Sequence, residues 1–288
     1  MNTFSIIGTG RLGTSLAFAL SKKGWTIHSL ADKSLSAARR SRKIVGAGRA
    51  TADWLGAAAD ASVLFLCIPD EGIKAAAARL ARGGADWSGK VVFQTSGILS
   101  SNSLQPLKRR GASIASFHPI QSFSSKRTPA GRFKNIYYGV EGDARALSTA
   151  QKIIRRLGGR TLLIRPQNKP LYHAACSMAS NLFVPLFDLS CELLHAAGIK
   201  GRKAGQALFP LVEGTLQNVK HLDAETALTG PIARGDEQTV ERHLDALQKF
   251  PEALRAYKIL GGRALRLAKK KGLPASKIRA LKKRLEEK

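Results

Sequence analysis

Residues Thr3–Gly13 read TFSIIGTGRLG: an apolar run of strand character, three glycines spaced G-x-G-x-x-G, and the opening of a helix. Its apolar residues Leu12, Leu16, Phe18, Ala19 and Leu20 recur with helical periodicity. Between a strand and a helix each glycine meets a separate steric demand. Gly8 permits the tight turn, Gly10 leaves the backbone open to a pyrophosphate, and Gly13 lets the helix close onto the strand. The first helical turn, with Arg11 and Leu12, adds unpaired N–H donors and the positive end of the helix dipole. A nicotinamide dinucleotide, NAD(H) or NADP(H), is the expected ligand.

The choice between the two turns on the end of the second strand. Asp32 lies nineteen positions after Gly13, where a carboxylate holds the adenosine ribose hydroxyls and repels a 2′-phosphate. Lys33, Ser34, Arg39 and Arg40 follow at once, and with Arg11 they offer charge-assisted hydrogen bonds to that phosphate. The same cations also read as the solvated face of a basic helix. The balance tips slightly to NADP(H).

Outward from this turn, strand and helix alternate. Trp25–Leu30, Ser62–Ile68, Lys90–Thr95, Ile114–Phe117, Tyr137–Val140 and Thr161–Ile164 read as further strands. Leu35–Ile44 behind a Ser34 cap, Glu71–Ala81, and Arg145–Leu157 before Gly158 read as helices. The rhythm predicts an α/β fold with a Rossmann-type, doubly wound parallel sheet over residues 1–165. After Arg165-Pro166 only helical periodicity remains, over Leu171–Ala197, Arg202–Val219, Glu237–Leu247 and Glu252–Ala268, broken at Gly230-Pro231. Residues 166–288 are expected to form an all-helical domain.

Composition bounds the partners. With 47 Lys and Arg against 20 Asp and Glu, the formal net charge is +27, which favours anionic ligands and raises nucleic acid or an anionic membrane surface as partners. The cations are scattered, with few aromatics among them. The densest run, from Arg263 and Arg266 through Lys269–Lys271 to Lys277, Arg279 and Lys282–Arg284, is interleaved with Leu265, Leu273, Ile278, Leu281 and Leu285. It reads as amphipathic helices with solvated basic faces. No apolar run is read as reaching the roughly 18 residues of a membrane span, and no signal-peptide pattern precedes the first strand. Cys67, Cys176 and Cys191 lie in apolar stretches without metal-ligand spacing, as expected of reduced thiols in a cytoplasmic protein.

Five stretches carry a family resemblance: Ile68-Pro69-Asp70, Thr95-Ser96-Gly97, Phe117-His118-Pro119, Tyr172-His173-Ala174-Ala175, and Leu228 to Asp236. On these the chain resembles bacterial Rossmann-like proteins whose helical part is the domain of unknown function 2520. They are relatives of β-hydroxyacid, 6-phosphogluconate and prephenate dehydrogenases. The resemblance implies a nicotinamide-dependent oxidoreductase acting on a small molecule, and a helical domain that makes homodimers. Family members carry a histidine before Thr-Ser-Gly, whereas Gln94 stands there in this chain.

The same stretches make chemical sense. Ile68, Pro69, Asp70, Thr95, Ser96 and Gly97 fall at strand ends on the carboxyl edge of the sheet, where such folds bind ligands. Ser96 is placed to reach the nicotinamide or the reacting oxygen. His118 is similar to the histidine of prephenate dehydrogenases that handles the substrate hydroxyl proton, and imidazole suits that work near neutral pH. A structural contact to backbone is its other reading. At 3.6 residues per turn Lys169, His173 and Ser180 share one helical stripe with Asn181 at its edge. Lys169 is similar to the lysine that opens the corresponding helix in β-hydroxyacid dehydrogenases. Their asparagine one turn later is replaced here by His173, with Asn181 further on. Asn181 must find partners if buried, either a ligand or a packing contact. Thr229 and Arg234 lie in the Gly230-Pro231 bend, where Arg234 is suited to a substrate carboxylate or to an internal pair with Asp236, itself a helix cap.

The expected function is hydride transfer between NAD(P)(H) and a small substrate bearing a hydroxyl or carbonyl, in a cleft between the two domains. A dinucleotide-binding sensor without turnover and a basic nucleic-acid-associated protein are the other classes the sequence admits.

Overall fold

The computed structural model describes residues 3–126 and 129–287. The chain divides into two compact units, one ending at Ser180 and one beginning at Asn181. This division lies later than the Pro166 at which the sequence pattern changes, because the next helix is tied to the sheet through Lys169, as described below.

In the first unit β1 (Thr3–Ile7) runs into α1 (Arg11–Ser21). There follow β2 (Thr26–Ala31), α2 (Leu35–Val45), β3 (Arg49–Thr51), α3 (Trp54–Ala59), β4 (Val63–Leu66), α4 (Asp70–Arg82) and β5 (Val91–Gln94). The short α5 (Gln105–Lys108), then β6 (Ser113–Pro119), β7 (Tyr137–Gly142), α6 (Ala144–Leu157), β8 (Arg160–Leu163) and α7 (Lys169–Ala179) complete it. The strand order is β3-β2-β1-β4-β5-β6-β7-β8. The order reverses between β1 and β4, so the carboxyl ends of these strands flank the crevice at which doubly wound sheets bind ligands. Each residue of β4 and β5 is buried. Their side chains alternate between two cores, Phe65 and Phe93 on one face, Leu64, Leu66 and Val92 on the other. On the first face Phe65 stacks on Phe93 with ring centroids 5.0 Å apart, and Phe117 closes the group at 5.5 Å. Removing one such ring costs on the order of 3–5 kcal/mol.

Two features depart from the reading by sequence. The strand β3 and the helix α3 were not expected, since Arg49-Ala50-Thr51 has no apolar periodicity to betray it. And β7 pairs antiparallel with β6, so that β7 and β8 run against the first six strands. The segment joining β6 to β7 contains no α-helix among its described residues. A parallel return needs a crossover of a dozen residues or more, usually helical.

The second unit is helical: α8 (Phe183–Ala196), α9 (Lys203–His221), α10 (Ala224–Ala227), α11 (Pro231–Arg234), α12 (Glu237–Leu247), α13 (Pro251–Lys270) and α14 (Ala275–Glu286). Its core gathers Ile232, Val240, Leu244, Leu265, Leu281 and Leu285. Burial of Leu281 and Leu285 with Lys282 and Lys283 exposed makes α14 the amphipathic basic helix expected. By contrast α8 buries no residue and α9 only Ala204, leaving Val184, Phe209, Leu211, Leu216 and Val219 more than half exposed.

The continuous helix expected from Leu171 to Ala197 is broken. Ser180 leaves helical geometry (φ −127°, ψ −65°), and α8 restarts at Phe183. Pro185 explains the break, because its ring clashes with the carbonyl four residues back, at Asn181, and it offers no N–H to that carbonyl. Contrary to the expectation from sequence, Pro166–Ala196 has the length and, at 1.2, the mean hydropathy of a membrane span, although it is the turn at Ser180 that divides it.

Candidate functional site

The glycine turn follows β1 at the order reversal. Gly8 has φ +99°, and a Cβ there would lie 2.3 Å from the carbonyl oxygen of Cys67; a Cβ at Gly13 would lie 2.0 Å from the carbonyl oxygen of Gly8. Both glycines are demanded by the fold itself. Gly10 is different: its φ of −67° suits any residue, and a Cβ there meets nothing within 4 Å. Gly10 is also the N-cap of α1, and no side chain caps that helix. The bare position is therefore the one facing open space at an uncapped helix start, a cradle of the kind that holds a pyrophosphate. Leu12 packs on the first core, while Arg11 is exposed beside the turn. Below it the Cys67 thiol is pushed up to about 12 by burial, so it stays a thiol.

Asp32 is turned toward this loop. Its Oδ2 accepts from the N–H and hydroxyl of Thr9, both at 2.8 Å, and its Oδ1 accepts from the Ser34 N–H at 3.1 Å. Burial opposes its charge, but these donors outweigh burial and hold the carboxyl below its ordinary range. Ser34 caps α2 by accepting from the Ala37 N–H at 3.3 Å, as expected. A cleft of about 500 Å³ opens beside the turn, lined by Gly8, Gly10, Asp32, Lys33, Ile68 and Pro69 together with Trp54, Glu71, Gly72 and Arg79. The Arg79 guanidinium lies 5.7 Å over the Trp54 ring. Neither was among the residues expected from sequence, because each stands alone on its own helix and meets the other only in the fold. Arg39 and Arg40 are exposed on α2 and are not part of the lining, and Asp70 opens α4.

A second group of polar side chains gathers past the ends of β5 and β6. Gln94 braces the Thr95-Ser96-Gly97 loop: its amide donates to the Leu99 carbonyl at 2.7 Å, and its Oε1 accepts from the Ser96 N–H at 2.5 Å. The Ser96 hydroxyl accepts from the N–H groups of Ile98 and Leu99 at 3.2 and 3.0 Å, and Thr95 donates to the Leu66 carbonyl at 3.3 Å. Lys169, fully buried at the start of α7, donates to the Ser96 carbonyl at 2.9 Å and to the Ser116 hydroxyl at 2.7 Å. Burial lowers its ammonium to about 8 against the attraction of Glu141, Asp70 and Cys176.

Three of the four expected catalytic residues meet here. The His118 and His173 rings lie 6.0 Å apart, and both face Gly97 so closely that a Cβ there would lie 2.1 Å from His173 Cδ2 and 3.0 Å from His118 Nε2. Nδ1 of His118 is 2.7 Å from the hydroxyl of Tyr172. Burial, then the charges of Lys169 and His173, lower His118 to about 3. It is a neutral imidazole at physiological pH, which corrects the expectation of a histidine titrating near neutrality. Burial and the neighbouring Cys176 push the Tyr172 phenol up, so it too stays neutral. Between these two neutral groups either the phenol O–H or Nδ1–H makes the bond; with the phenol as donor, the imidazole proton lies on Nε2, toward Gly97. Tyr172 was missed as a site residue, although its place one residue before His173 was a signal.

Asn181, Thr229 and Arg234 belong to the second unit, and all three are exposed. With α7 ended at Ala179, Asn181 does not share the helix of Lys169 and His173, and its exposure removes the demand for a buried partner. Asp236 caps α12, accepting from the N–H and hydroxyl of Thr239 at 3.1 and 2.8 Å.

Two family models match the chain: a Rossmann-like domain over residues 2–119 and the domain of unknown function DUF2520 over residues 136–264. Among solved structures the chain is similar to protein TM1727 of Thermotoga maritima, at 29% identity with a TM-score of 0.73, covering 93% of this chain and 99% of that one. It is similar to BF3122 of Bacteroides fragilis, a candidate NADP oxidoreductase, at 24% identity and TM-score 0.73, covering 91% and 97%. A reductive aminase of Aspergillus terreus in complex with NADPH and ethyl-5-oxohexanoate shares the fold at 16% identity and TM-score 0.61, covering 99% and 93%. No match was found among curated proteins. A strand–glycine turn–helix at the order reversal of a doubly wound sheet, followed by helices alone, is thus the architecture of a chain that carries a Rossmann-like domain and a DUF2520 domain.

Proposed function

We propose that the chain is an NADP(H)-preferring oxidoreductase of a small carbonyl, imine or hydroxyl compound. The observation that carries the reading is Gly10, bare where the fold does not require it, at an uncapped helix start beside a 500 Å³ cleft. The residues present fit a dinucleotide: the α1 N-terminus and Gly10 for the pyrophosphate, Ile68 and Pro69 for the wall of the cleft, and Trp54 and Arg79 for the adenine end. Asp32 spends its oxygens on Thr9 and Ser34, which favours Lys33 as the group that meets a 2′-phosphate. Bound there, the cofactor supplies hydride chemistry at its nicotinamide.

The chain's own part is proton placement and orientation. Tyr172 fixes the tautomer of His118, whose Nε2–H is a standing donor for a substrate oxygen or nitrogen where charge develops. His173, half-buried against the same glycine, is the imidazole placed to exchange the proton. Lys169, wholly buried, acts as a positioning residue: it holds the Ser96 carbonyl and Ser116 hydroxyl, and its charge adds to burial in keeping His118 neutral. The exposed apolar faces of α8 and α9 support a homodimer through the helical unit.

The experiment is a screen of NADPH and NADH oxidation against keto acids, aldehydes and cyclic imines, with the reverse reaction on hydroxy acids and amines. Turnover with NADPH that His118→Ala and His173→Ala each abolish supports the reading. Tight binding with no turnover of any class replaces it by a sensor.

A further inference from the structure

At the opposite end of the sheet from the dinucleotide turn lies a groove of about 270 Å³, lined by α6 and by the amino ends of β4 and β5. Arg145, Thr149, Lys152 and Arg156 recur along α6 at spacings of four, three and four, so all four stand on one stripe of the helix. The face of α6 beside them, Ala146, Ala150, Ile153 and Leu157, is buried and anchors the stripe.

Two of the cations are held in place. Arg145 donates from Nη2 to the Gly89 carbonyl at 2.7 Å, and Arg156 donates from Nε to the Lys23 carbonyl at 2.8 Å. Each bond leaves further guanidinium N–H groups to present to a ligand. Lys152 is exposed between them. Among the described residues no carboxylate lines the groove, and none comes within ion-pair distance of the three. The basic tail is different: Lys282, Lys283 and Arg284 face Glu286, Glu287 and Glu241 at 3.8, 4.0 and 2.9 Å. On α6 three cations without a carboxylate partner among the described residues, two of them tethered to backbone, thus stand on one stripe beside a groove, whereas three of the tail's cations face carboxylates.

We propose that this groove binds the phosphate backbone of a nucleic-acid strand without reading its sequence. At about 1.5 Å rise per residue the three cations lie roughly 10 and 6 Å apart along α6, a line along which successive phosphates of one strand can be met. Two arginines suit phosphate through their planar forks, and phosphate contacts confer affinity without sequence information. The strand gains from the rest of the positive surface too, which a small anion of the groove's size does not.

The test uses the full-length protein and a fluorescein-labelled oligothymidylate of about 20 nucleotides, followed by anisotropy from 50 to 300 mM salt. The wild type binds, and a saturating concentration of NADPH does not displace the strand. The variant R145Q/K152Q/R156Q binds at least tenfold more weakly, and its log–log salt slope is shallower by about 2, as loss of three single-strand phosphate contacts requires. The charge-matched variant R279Q/K282Q/K283Q stays within about threefold of the wild type. Because Arg145 and Arg156 also tether backbone, the single variant Lys152→Glu serves as a check on folding effects, with weakening expected at unchanged melting temperature. Equal loss in groove and tail variants, absence of wild-type binding at 50 mM salt, or binding of tripolyphosphate or of a polyglutamate peptide but not the strand would each overturn the proposal.

Discussion

The hydroxyl of Tyr172 lies 2.7 Å from Nδ1 of His118, joining the start of α7 to the end of β6. In the proposed site the phenol is the donor of this bond, which places the His118 proton on Nε2, toward Gly97. Tyr172→Phe removes the hydroxyl bonded to Nδ1 of His118 and frees the ring to adopt the other tautomer. Turnover should fall roughly 10- to 100-fold, less than the roughly 10²- to 10⁴-fold of a lost general acid–base group because the imidazole stays and only its orientation is lost, while cofactor affinity stays within about twofold. Steady-state kinetics with direct titration of NADPH checks this; an equal loss of affinity and turnover would place the tyrosine in cofactor binding instead.

Lys169 adds an alkaline limb to the pH dependence of the proposed site. Its ammonium, lowered to about 8, is charged below that pH and neutral above it, so turnover should decline as pH rises through about 8. His118, at about 3, contributes no acid limb in the physiological range. The stability sign follows from proton counting. Between about 8 and the ordinary 10.5 the unfolded chain holds a proton that the folded chain has released, so stability rises with pH across that window. In Lys169→Met both the alkaline fall in turnover and this rise in stability should disappear, as pH–rate profiles and urea melts at pH 7 to 10 would reveal.

Cofactor choice separates Lys33 from Asp32. Loss of one charge-assisted bond costs roughly 1.5–3 kcal/mol, so Lys33→Ala should weaken NADPH binding by one to two orders of magnitude and leave NADH nearly unchanged. Asp32→Ala removes the acceptor of Thr9 and Ser34 and loosens the turn itself, so it should weaken both cofactors alike. Tighter binding of NADH than NADPH by the wild type would show that the Asp32 carboxylate governs the ribose after all.

How far the site could be read from sequence followed the range of each interaction. The Gly8–Gly13 turn was legible because strand, turn and helix adjoin in the chain. His118, Lys169 and His173 were legible from the family resemblance and from helical spacing. The Tyr172–His118 bond was not, since it depends on how α7 docks against β6, and on the antiparallel pairing that sets Gly139 opposite His118. Trp54 and Arg79 meet across two helices, one of which follows a three-residue strand with no pattern of its own. Asn181 was misplaced because a periodicity of apolar residues ran on through Leu182–Val184, while the effect of Pro185 on the preceding carbonyl was overlooked.

The exposed leucines and phenylalanines of α8 and α9 carry a consequence for assembly. Exposed apolar side chains in this number on two helices are costly in water, and the proposed homodimer would cover them. Light scattering coupled to size exclusion should give twice the 30.9 kDa chain mass, and Leu211→Glu with Leu216→Glu should yield monomer. A wild type that is monomeric at micromolar concentration would exclude the homodimer.

Titration of NADPH onto wild type and Gly10→Val, each with its melting temperature, bears most directly on the dinucleotide site. A Cβ at Gly10 meets nothing within 4 Å and its φ is ordinary, so the valine variant should melt within about 2 °C of the wild type, a shift on the order of 1 kcal/mol. It should nonetheless bind no NADPH, because the side chain fills the space left for the pyrophosphate. Gly8→Ala provides the contrast, with a φ of +99° and a Cβ 2.3 Å from the Cys67 carbonyl oxygen, and should lose about 1–3 kcal/mol of stability. A folded wild type that binds neither NADPH nor NADH, or a Gly10→Val protein that binds as the wild type does, would contradict the assignment of this turn as the dinucleotide site.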